Sequence, residues 1–467
     1  MPHDILNVQS EIGTLKRLLV HSPDKGLGKV IPSKAQDWLF EDIVHLKSIR
    51  KNEYDYYIKL LLYFLDPTKM KMGLYHIDDA KSDRAFYKPG HPHFYASEKV
   101  LEIEWLLAKI LEEPPIKNEL IAAVSAFEGC SYALQESLKN YTPTLLASTL
   151  LSGVDKHNEL IFPPIPNFIF TRDIGIVIND HLILNKPAKQ ARRREALFAK
   201  YLFHHHPLFK NSSTHIIELS QKVPTALINE KENEEKVTLE GGDIMMISSE
   251  HVFIGVSERT SMNAALQLTE ILFNKELVNK VSIIKIPKKR DYMHLDTIFT
   301  QVKKDTWVLL GNFSKETIDP ISPKENISIW QYERAKQNNP TLINNIEDLL
   351  NKISKEEFGC KNNATFIYSG NNEFPYNTRE QWTDSCNLLA LKEGVVLGYD
   401  RNDKTIEAFK NKGFQTIDVK DLLIEFEKGL RQPEEINNTL ILMPSSELSR
   451  ARGGFHCMSM PLEREAL

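Results

Sequence analysis

Residues 244–286 read IMMISSEHVFIGVSERTSMNAALQLTEILFNKELVNKVSIIKI. Apolar runs at 244–247 and 252–256 flank a Ser-Ser-Glu turn, which predicts a β-hairpin. The segment 261–273 has helical periodicity, and the apolar run at 281–286 predicts another strand. The stretch therefore predicts one ββαβ unit, in which a hairpin is followed by a helix and a third strand.

The same pattern recurs along the chain from about residue 170 onward. The further predicted elements are hairpins at 174–184, 298–310 and 387–399, helices at 191–205 and 404–412, and a strand at 215–219. Turn signals support these boundaries, because Asn179-Asp180 lies inside the first hairpin and Gly413 ends the last helix. The ββαβ unit is thus predicted at least four times.

The two ends of the chain are expected to meet. Residues 15–21 predict a strand that lacks a complete unit of its own, and the C-terminal stretch follows the fourth unit. Together the two ends can form one further unit and close a ring, which removes the exposed sheet edges that a repeat array must otherwise protect. We therefore predict an α/β fold built from pseudosymmetric ββαβ modules.

Two stretches depart from this pattern. Helical periodicity dominates 42–151, where Ser97 is suited to cap a helix that Pro114-Pro115 would end. We predict an inserted α-helical domain at 42–151, with a catalytic α/β domain formed by 1–41 and 152–467. The segment 319–361 is rich in Asn, Lys and Glu and is expected to be a surface excursion with some helix.

The composition limits the classes of function. The 467 residues are 42% hydrophobic and 26% charged, with a formal net charge of -5, as in ordinary soluble globular proteins. The mild acidity argues against nucleic acid as a partner. The longest apolar segments, such as 60–65, are too short to span a membrane. We expect a cytoplasmic protein with reduced thiols.

The cysteines support this expectation. Four cysteines, with no CxxC pair, are too few and too scattered for a disulfide framework or a metal site. The run at 204–206 contains three histidines, but adjacent side chains diverge around a helix, so no metal is predicted. Cys457 differs from the other cysteines because the glycine-rich frame RGGFHCMSMP is typical of a loop.

Polar residues occupy matched positions in the repeat. Asp173 precedes the first hairpin, Glu240 and Asp243 precede the second, His294 and Asp296 precede the third, and Cys457 has the equivalent place in the last unit. If rotation relates the modules, these side chains point to one end of a central axis. Residues hundreds of positions apart then line one pocket.

The charges of this pocket favour a cationic substrate. A thiolate is the competent nucleophile, but carboxylates raise the pKa of a thiol and suppress attack. A guanidinium would restore the balance, because it is planar, permanently charged and pairs bidentately with carboxylates. Carboxylates and a nearby acid can also localise its charge, which activates its central carbon.

Each residue also has a simpler interpretation. Asp173 is compatible with a turn in which it pairs with Arg172, and residues 240–243 with a glycine turn alone. An isolated histidine such as His294 is more often structural, and an isolated cysteine is more often a small buried hydrophobe. The arginines at 192–194 are compatible with a solvated helix start. The joint occurrence at matched module positions favours the functional interpretation.

Several motifs together carry a family resemblance. They are IGTLKRLLVHSP at 12–23, NFIFTRD at 167–173, LEGGD at 239–243, MHLDT at 293–297, REQWTD at 379–384 and RGGFHCMSMPLERE at 452–465. In this order they resemble the arginine deiminases of the guanidine-modifying, or amidinotransferase, superfamily over nearly the whole chain.

The resemblance implies a five-bladed α/β-propeller that hydrolyses L-arginine to L-citrulline and ammonia without a cofactor or metal. It implies that Cys457 is the nucleophile and that His294 is the general acid and then the base. The other residues that the resemblance places at the site are Asp173, Asp296 and Glu240 around the guanidinium, Asn167, Arg192 and Arg259 at the α-carboxylate, and Asp243 and Gly454 as further substrate contacts.

Alternatives remain at this stage. An amidinotransferase of the same superfamily shares a Cys, His and acidic set, and a catalytically silent arginine-binding protein would share the fold. A homo-oligomer, either a dimer or a tetramer, is expected. Phe455 stands where many relatives have glycine or proline, so we expect a large aromatic ring that stiffens or partly fills the entrance.

Overall fold

The computed structural model describes residues 5–35, 37–70, 84–220, 236–315, 324–336 and 339–467. The described residues form a mixed α/β fold with five β-sheets of three to five strands each. The strands are β1 Leu15–Val20, β2 Val100–Glu102, β3 Gly175–Ile178, β4 His181–Leu184, β5 Ile216–Ile217, β6 Ile244–Ser248, β7 His251–Val256, β8 Lys280–Lys285, β9 Phe299–Lys303, β10 Thr306–Leu309, β11 Ser328–Glu333, β12 Thr341–Ile343, β13 Thr365–Tyr368, β14 Leu389–Lys392, β15 Val395–Tyr399, β16 Gln415–Asp418, β17 Thr439–Met443 and β18 Met460–Arg464.

Helices connect and cover the sheets. They are α1 Pro32–Ala35, α2 Leu46–Ile49, α3 Asp55–Leu65, α4 Pro67–Met70, α5 Ile103–Ile110, α6 Pro114–Glu128, α7 Tyr132–Lys139, α8 Pro143–Ser152, α9 Arg193–His205, α10 Met262–Asn274, α11 Ile346–Glu356, α12 Tyr376–Trp382, α13 Asp403–Asn411 and α14 Val419–Glu427. Among the described residues no helix is long and apolar enough to cross a membrane.

Every sheet contains an antiparallel pair of strands extended by a parallel strand. The hairpin β6–β7 is continued by β8, which lies parallel to β7 after the crossover through α10. The same arrangement joins β3–β4 to β5, β9–β10 to β13 and β14–β15 to β17. The four predicted hairpins are thereby confirmed. The apolar runs form strands because both faces of each sheet are covered.

The fifth sheet is closed by the two ends of the chain, as the sequence predicts. The C-terminal strand β18 pairs antiparallel with β1, so that Leu18 lies opposite Pro461 and Leu19 opposite Met460. The third strand of this sheet is β2, which is parallel to β1. The unit that the termini share therefore has the same strand pattern as the other units.

The region predicted as a helical insertion is not helical throughout. Residues 100–102 form β2, and the Ser97 hydroxyl accepts a hydrogen bond from Val100 N at 3.1 Å at the start of this strand rather than capping a helix. Helix α5 begins at Ile103, where the Glu102 carboxylate accepts from Glu104 N. Pro114 begins α6 instead of ending a helix, because a helix's first turn tolerates proline.

The strand β2 thus divides the segment 42–151. Helix α3 contacts both β1 and β2 and supplies the crossover of the fifth unit. Helices α5 to α8 follow and share one apolar core with α9. The segment 319–361 was expected to be a surface excursion, but its described part is packed into the fold. Strand β11 extends the β6–β8 sheet, and α11 buries Leu349 and Leu350.

We expect the C-terminal strand to contribute strongly to stability. Leu462 in β18 is fully buried, whereas Leu467 is 45% exposed. Leu462→Ala should lower the free energy of unfolding by about 2–5 kcal/mol through lost burial and the cavity left behind. Leu467→Ala, the matched control, should change it by less than about 0.5 kcal/mol. Urea unfolding followed by circular dichroism measures both, and equal effects would contradict the closure.

Candidate active site

Cys457 lies in a tightly packed loop just before β18. Arg452 adopts a left-handed backbone conformation with φ of 60°, and two glycines follow it. A Cβ atom at Gly453 would lie 2.2 Å from Cε1 of Phe170, and one at Gly454 would lie 2.4 Å from the Asn387 carbonyl oxygen. Both positions therefore require glycine. Gly454 acts through this close approach, and it is not among the cavity-lining residues.

Phe455 is buried beneath the loop. Its ring centroid lies 5.1 Å from that of Tyr57 and 5.0 Å from that of Tyr399, and only 1% of the residue is exposed. The ring is therefore part of the core beneath the site. The expectation that it partly fills the entrance is wrong, because Phe455 is not among the residues that line the cavity.

The side chain of Asn387 holds Cys457 at two points. The backbone N–H of Cys457 donates to Asn387 Oδ1 at 3.0 Å, and Asn387 Nδ2 donates to Cys457 Sγ at 3.2 Å. The thiol donates in turn to Asp296 Oδ2 at 3.5 Å. The sequence motifs do not point to Asn387. However, Asn387 stands just before the β14–β15 hairpin, as Asp173 and Asp296 stand just before their own hairpins, and this position indicates that it belongs to the site.

His294 lies among the carboxylates that the sequence assigns to the site. Its Nε2 donates to Glu240 Oε2 at 3.0 Å, and its Nδ1 lies 3.7 Å from Asp173 Oδ1. Asp173 and Glu240 precede two neighbouring hairpins, and short 3-10 turns direct them inward. A Cβ atom at Gly242 would lie 2.6 Å from His294 Nδ1, so glycine is needed for the imidazole to fit.

Arg192 occupies the space between these carboxylates. Its Nη1 donates to Asp173 Oδ2 at 2.7 Å and to Glu240 Oε2 at 3.1 Å, while its Nε donates to Glu195 at 2.9 Å. The resemblance expects this arginine at the substrate α-carboxylate. In the structure its guanidinium is instead the partner of two carboxylates that are expected to grip the substrate.

Arg259 and Asn167 lie at the wall of the same cavity. Arg259 has a longer contact of 3.8 Å from Nη1 to Glu240 Oε1. Asn167 donates from Nδ2 to the Trp38 carbonyl at 2.8 Å. Both side chains are buried but border the cavity, so both can meet a polar group that enters it.

Asp243 is hydrogen-bonded to residues next to the site. It accepts hydrogen bonds from Ser257 Oγ at 2.6 Å and from Leu295 N at 3.0 Å. Burial raises the pKa of Asp243 to about 6, and the charge of His294 and these hydrogen bonds oppose that rise. Because Asp243 does not line the cavity, its position next to His294 suits an orienting role better than the substrate contact that was expected.

Asp296 is anchored by a second buried network. His456 Nδ1 lies 2.8 Å from Asp296 Oδ2, and His456 Nε2 lies 3.1 Å from Glu11 Oε2, so the imidazole bridges the two carboxylates by hydrogen bonds. Glu11 also accepts from Arg172 Nη2 at 2.5 Å. This chain of contacts ties the Cys457 loop to the N-terminal segment and to the turn that carries Asp173.

The cavity itself is narrow, with a volume of about 20 Å³, close to that of one water molecule. Its lining comprises Leu39, Glu41, Asn167, Phe170, Asp173, Arg192, Arg259, Met293, His294, Thr297, Asp384, Ala451, Arg452, Gly453 and Cys457. Glu240 and Asp296 contact this lining from behind. The enclosed space in this structure is therefore smaller than a substrate of arginine size.

Ion pairs hold the rim of the cavity together. Glu41 pairs with Arg290 at 2.6 Å, and Asp42 pairs with Arg450 at 2.7 Å. Arg452 lies 3.7 Å above the Trp382 ring. Burial raises the pKa of Asp384 to about 7 although the charge of Arg452 opposes this rise. The rim thus carries acidic groups near the entrance.

The thiol and the imidazole have opposite protonation tendencies. Burial raises the pKa of Cys457 well above its ordinary value, and the charges of Asp296, Asp173 and Asp384 raise it further. Burial alone would lower the pKa of His294, but the charge of Asp173 and the hydrogen bond to Glu240 outweigh it and raise the pKa to about 9. At neutral pH the cavity is therefore lined by a neutral thiol and an imidazolium.

Two groups of described residues bring three possible metal-ligand atoms within 4.8 Å of one another. The first contains Asp173, Glu240 and His294, but Arg192 lies between its carboxylates and would repel a metal cation. The second, Asp180, His181 and His215, lies outside the cavity, and the Asp180 carboxylate is already paired with His181 at 2.7 Å. Arg192 thus makes the first group better suited to an organic cation than to a metal ion.

The chemistry of the cavity is that of a thiol enzyme for cationic substrates. A nucleophile, a protonated acid and several carboxylates surround a place where a guanidinium already fits. These features define the class of enzyme but leave the particular family to be identified by comparison.

Comparison with known proteins identifies the family. The sequence model described as arginine deiminase matches residues 132–464. The arginine deiminase of Bacillus cytotoxicus is 31% identical with full coverage of both chains, at 100% each. That of Listeria monocytogenes is 30% identical over 99% of this chain and 98% of its own. The chain belongs to the arginine deiminase family.

Likeness to solved structures is more remote. An amidinotransferase of saxitoxin biosynthesis from Microseira wollei is 12% identical and aligns over 99% of this chain and 98% of its own, with a TM-score of 0.49. The assignment to the family therefore rests on the sequence comparisons.

The protonation of Cys457 can be tested by alkylation. Because the thiol pKa is raised, iodoacetamide should modify Cys457 slowly at neutral pH, and the rate should rise only above the reference thiol pKa of about 8.5. Peptide mass spectrometry resolves Cys457 from the half-buried Cys130 and Cys360, which serve as internal references. Rapid alkylation of Cys457 at pH 6 would show that His294 or an arginine already stabilises the thiolate.

Proposed function

We propose that this protein hydrolyses L-arginine to L-citrulline and ammonia through a covalent thiouronium on Cys457. The observation that carries the proposal is the guanidinium of Arg192, held by Asp173 and Glu240 beside the protonated His294. This contact supports the proposal, because a guanidinium already lies between these two carboxylates in the structure. Membership of the arginine deiminase family supports the same reaction.

In the first half of the reaction, the substrate guanidinium brings positive charge to the thiol and favours its ionisation. The thiol proton passes to solvent, where it later converts the released ammonia to ammonium. The Cys457 sulfur then bonds to the guanidinium carbon to form a neutral tetrahedral adduct. His294 donates its proton to one amino group, the C–N bond breaks, and ammonia leaves. A positively charged thiouronium remains on Cys457.

In the second half, neutral His294 takes a proton from water as the water oxygen bonds to the thiouronium carbon. The hydroxyl proton of the adduct passes to the departing sulfur as the carbonyl of citrulline forms and the C–S bond breaks, so Cys457 becomes a neutral thiol again. One arginine and one water thus give one citrulline and one ammonium. All the atoms transferred come from these two molecules.

The position of Arg192 suggests how the substrate enters. We propose that the substrate guanidinium replaces Arg192 between Asp173 and Glu240, which releases Arg192 towards the α-carboxylate. The exchange keeps the number of buried charge pairs constant, so the carboxylates are never left without a cation. Glu195 stays attached to Nε of Arg192 and limits how far the side chain moves.

The architecture that fits this function is a five-bladed α/β-propeller. We propose that the five sheets surround one axis, with the catalytic part formed by 1–41 and 152–467 and completed by β2 and α3. The convergence of residues that precede different hairpins onto one cavity supports this arrangement. A cytoplasmic location and a homo-oligomer, either a dimer or a tetramer, are also proposed, and light scattering after gel filtration tests the latter.

Removal of the nucleophile tests the reaction. Cys457→Ala should abolish citrulline formation while arginine binding, measured by titration calorimetry, is retained. Cys130→Ala is the matched control, because Cys130 lies outside the cavity lining, and it should keep full activity. Unchanged turnover in Cys457→Ala would disprove the mechanism.

The wild-type protein distinguishes the alternatives. Incubation with arginine alone should give citrulline and ammonia in equal amounts. An amidinotransferase would need an amine acceptor, and a silent arginine-binding protein would give neither product. The presence of both Cys457 and His294 favours the hydrolase over the silent protein.

Substrate selectivity tests the role of Arg259. Arg259→Ala should raise KM for arginine by about tenfold or more, because a charged hydrogen bond contributes about 1.5–3 kcal/mol. Agmatine lacks the α-carboxylate, so its kcat/KM should change little. The exposed Arg193 provides the control substitution Arg193→Ala. Equal losses for arginine and agmatine would show that Arg259 acts elsewhere in the reaction.

A further inference from the structure

We infer that Asn387 is a positioning residue that fixes the direction of the Cys457 sulfur and stabilises its thiolate. The inference deepens the proposed function, on which its meaning for catalysis rests. It begins from the two hydrogen bonds between one amide and one cysteine, through Cys457 N at 3.0 Å and Cys457 Sγ at 3.2 Å.

The orientation of the Asn387 amide is determined by its surroundings. Oδ1 must accept the hydrogen bond of the Cys457 backbone N–H, so Nδ2 has to face the sulfur. Nδ2 also lies 3.3 Å from the carbonyl oxygen of Asp296, which accepts from it. An inverted amide would place Nδ2 against a backbone donor and Oδ1 against a carbonyl oxygen. The donor therefore points at Sγ.

The packing around Asn387 leaves little freedom. The residue is 1% exposed, and a Cβ atom at Gly454 would lie 2.8 Å from Asn387 Oδ1 and 2.9 Å from Asn387 Cβ. The glycine of the Cys457 loop thus allows the amide to approach the cysteine. This explains why Gly454 belongs to the site although it does not border the cavity.

The charges around the sulfur give this contact its importance. Asp296, Asp173 and Asp384 all disfavour the thiolate, and the Asn387 hydrogen bond favours it. A neutral donor suits this position, because it stabilises the negative sulfur without adding a cation that would repel the guanidinium. Asn387 therefore offsets part of the penalty that the substrate-binding carboxylates impose on the nucleophile.

The test is the pH dependence of Cys457 alkylation in two variants. Asn387→Asp keeps an acceptor for Cys457 N but replaces the donor with a carboxylate oxygen. Asn387→Ser moves the donor one bond away from the sulfur without adding charge, because the hydroxyl takes the place of the amide carbon. Both should slow alkylation of Cys457 by about tenfold or more at a fixed pH below the thiol pKa, because a hydrogen bond to a charged group is lost. With arginine, kcat should fall while KM changes little.

A matched control uses another buried asparagine. Asn402 is 3% exposed and donates from Nδ2 to the Thr383 carbonyl at 3.1 Å. Asn402→Asp should therefore leave the alkylation profile of Cys457 unchanged. Urea midpoints identify any variant that fails to fold, and the Asn387→Ser protein keeps the test open if Asn387→Asp does so.

The outcomes separate this inference from the proposed function. Unchanged alkylation profiles in a folded Asn387 variant would overturn the inference, even if the wild type hydrolyses arginine. If the Asn387 variants slow the alkylation of Cys457 but the wild type does not hydrolyse arginine, the role of Asn387 at the sulfur is supported and the proposed reaction is refuted. Slowed alkylation together with a reduced kcat supports both.

Discussion

The neutralisation of buried carboxylates is the constraint on which the rest of this structure depends. Asp173, Glu240 and Asp296 are each at most 3% exposed, and a buried carboxylate without a counter-charge or hydrogen bond is strongly unfavourable. Arg192 pairs with the first two, and His456 forms a hydrogen bond with the third. Because these partners come from distant parts of the sequence, the charges of the site and the packing of the sheets are determined together.

The neighbours of the functional residues carry much of this coupling. Arg172 stands next to Asp173 and reaches Glu11, and His456 stands next to Cys457 and reaches both Glu11 and Asp296. In each pair one residue, Asp173 or Cys457, lines the cavity. The adjacent residue, Arg172 or His456, contacts Glu11 in the N-terminal segment. A shift of the Cys457 loop would therefore disturb the salt bridges that join the N-terminal segment to the turn before β3.

The sequence predicts the hairpins well because their apolar runs are long and bounded by clear turns. It fails at β2, where three residues are too short for any periodicity, and their conformation is set by pairing with β1. Cys457, His294 and Asp173, which the sequence predicts at one pocket, do line one cavity. The sequence does not point to Asn387, because an amide has no distinctive reactivity. The pairing of Arg192 with Asp173 and Glu240 cannot be predicted from the sequence either, because a motif does not determine which carboxylate an arginine contacts.

The same carboxylates explain both the restraint and the activation of the nucleophile. While Arg192 holds them, the Cys457 thiol stays protonated, so it is protected from adventitious electrophiles. In the proposed reaction the substrate guanidinium must bring its central carbon to the sulfur, and the positive charge that arrives with it lowers the thiol pKa. The product citrulline is neutral and cannot pair with Asp173 and Glu240. In the proposed reaction the return of Arg192 would restore its ion pairs with Asp173 and Glu240, which would favour release of the product.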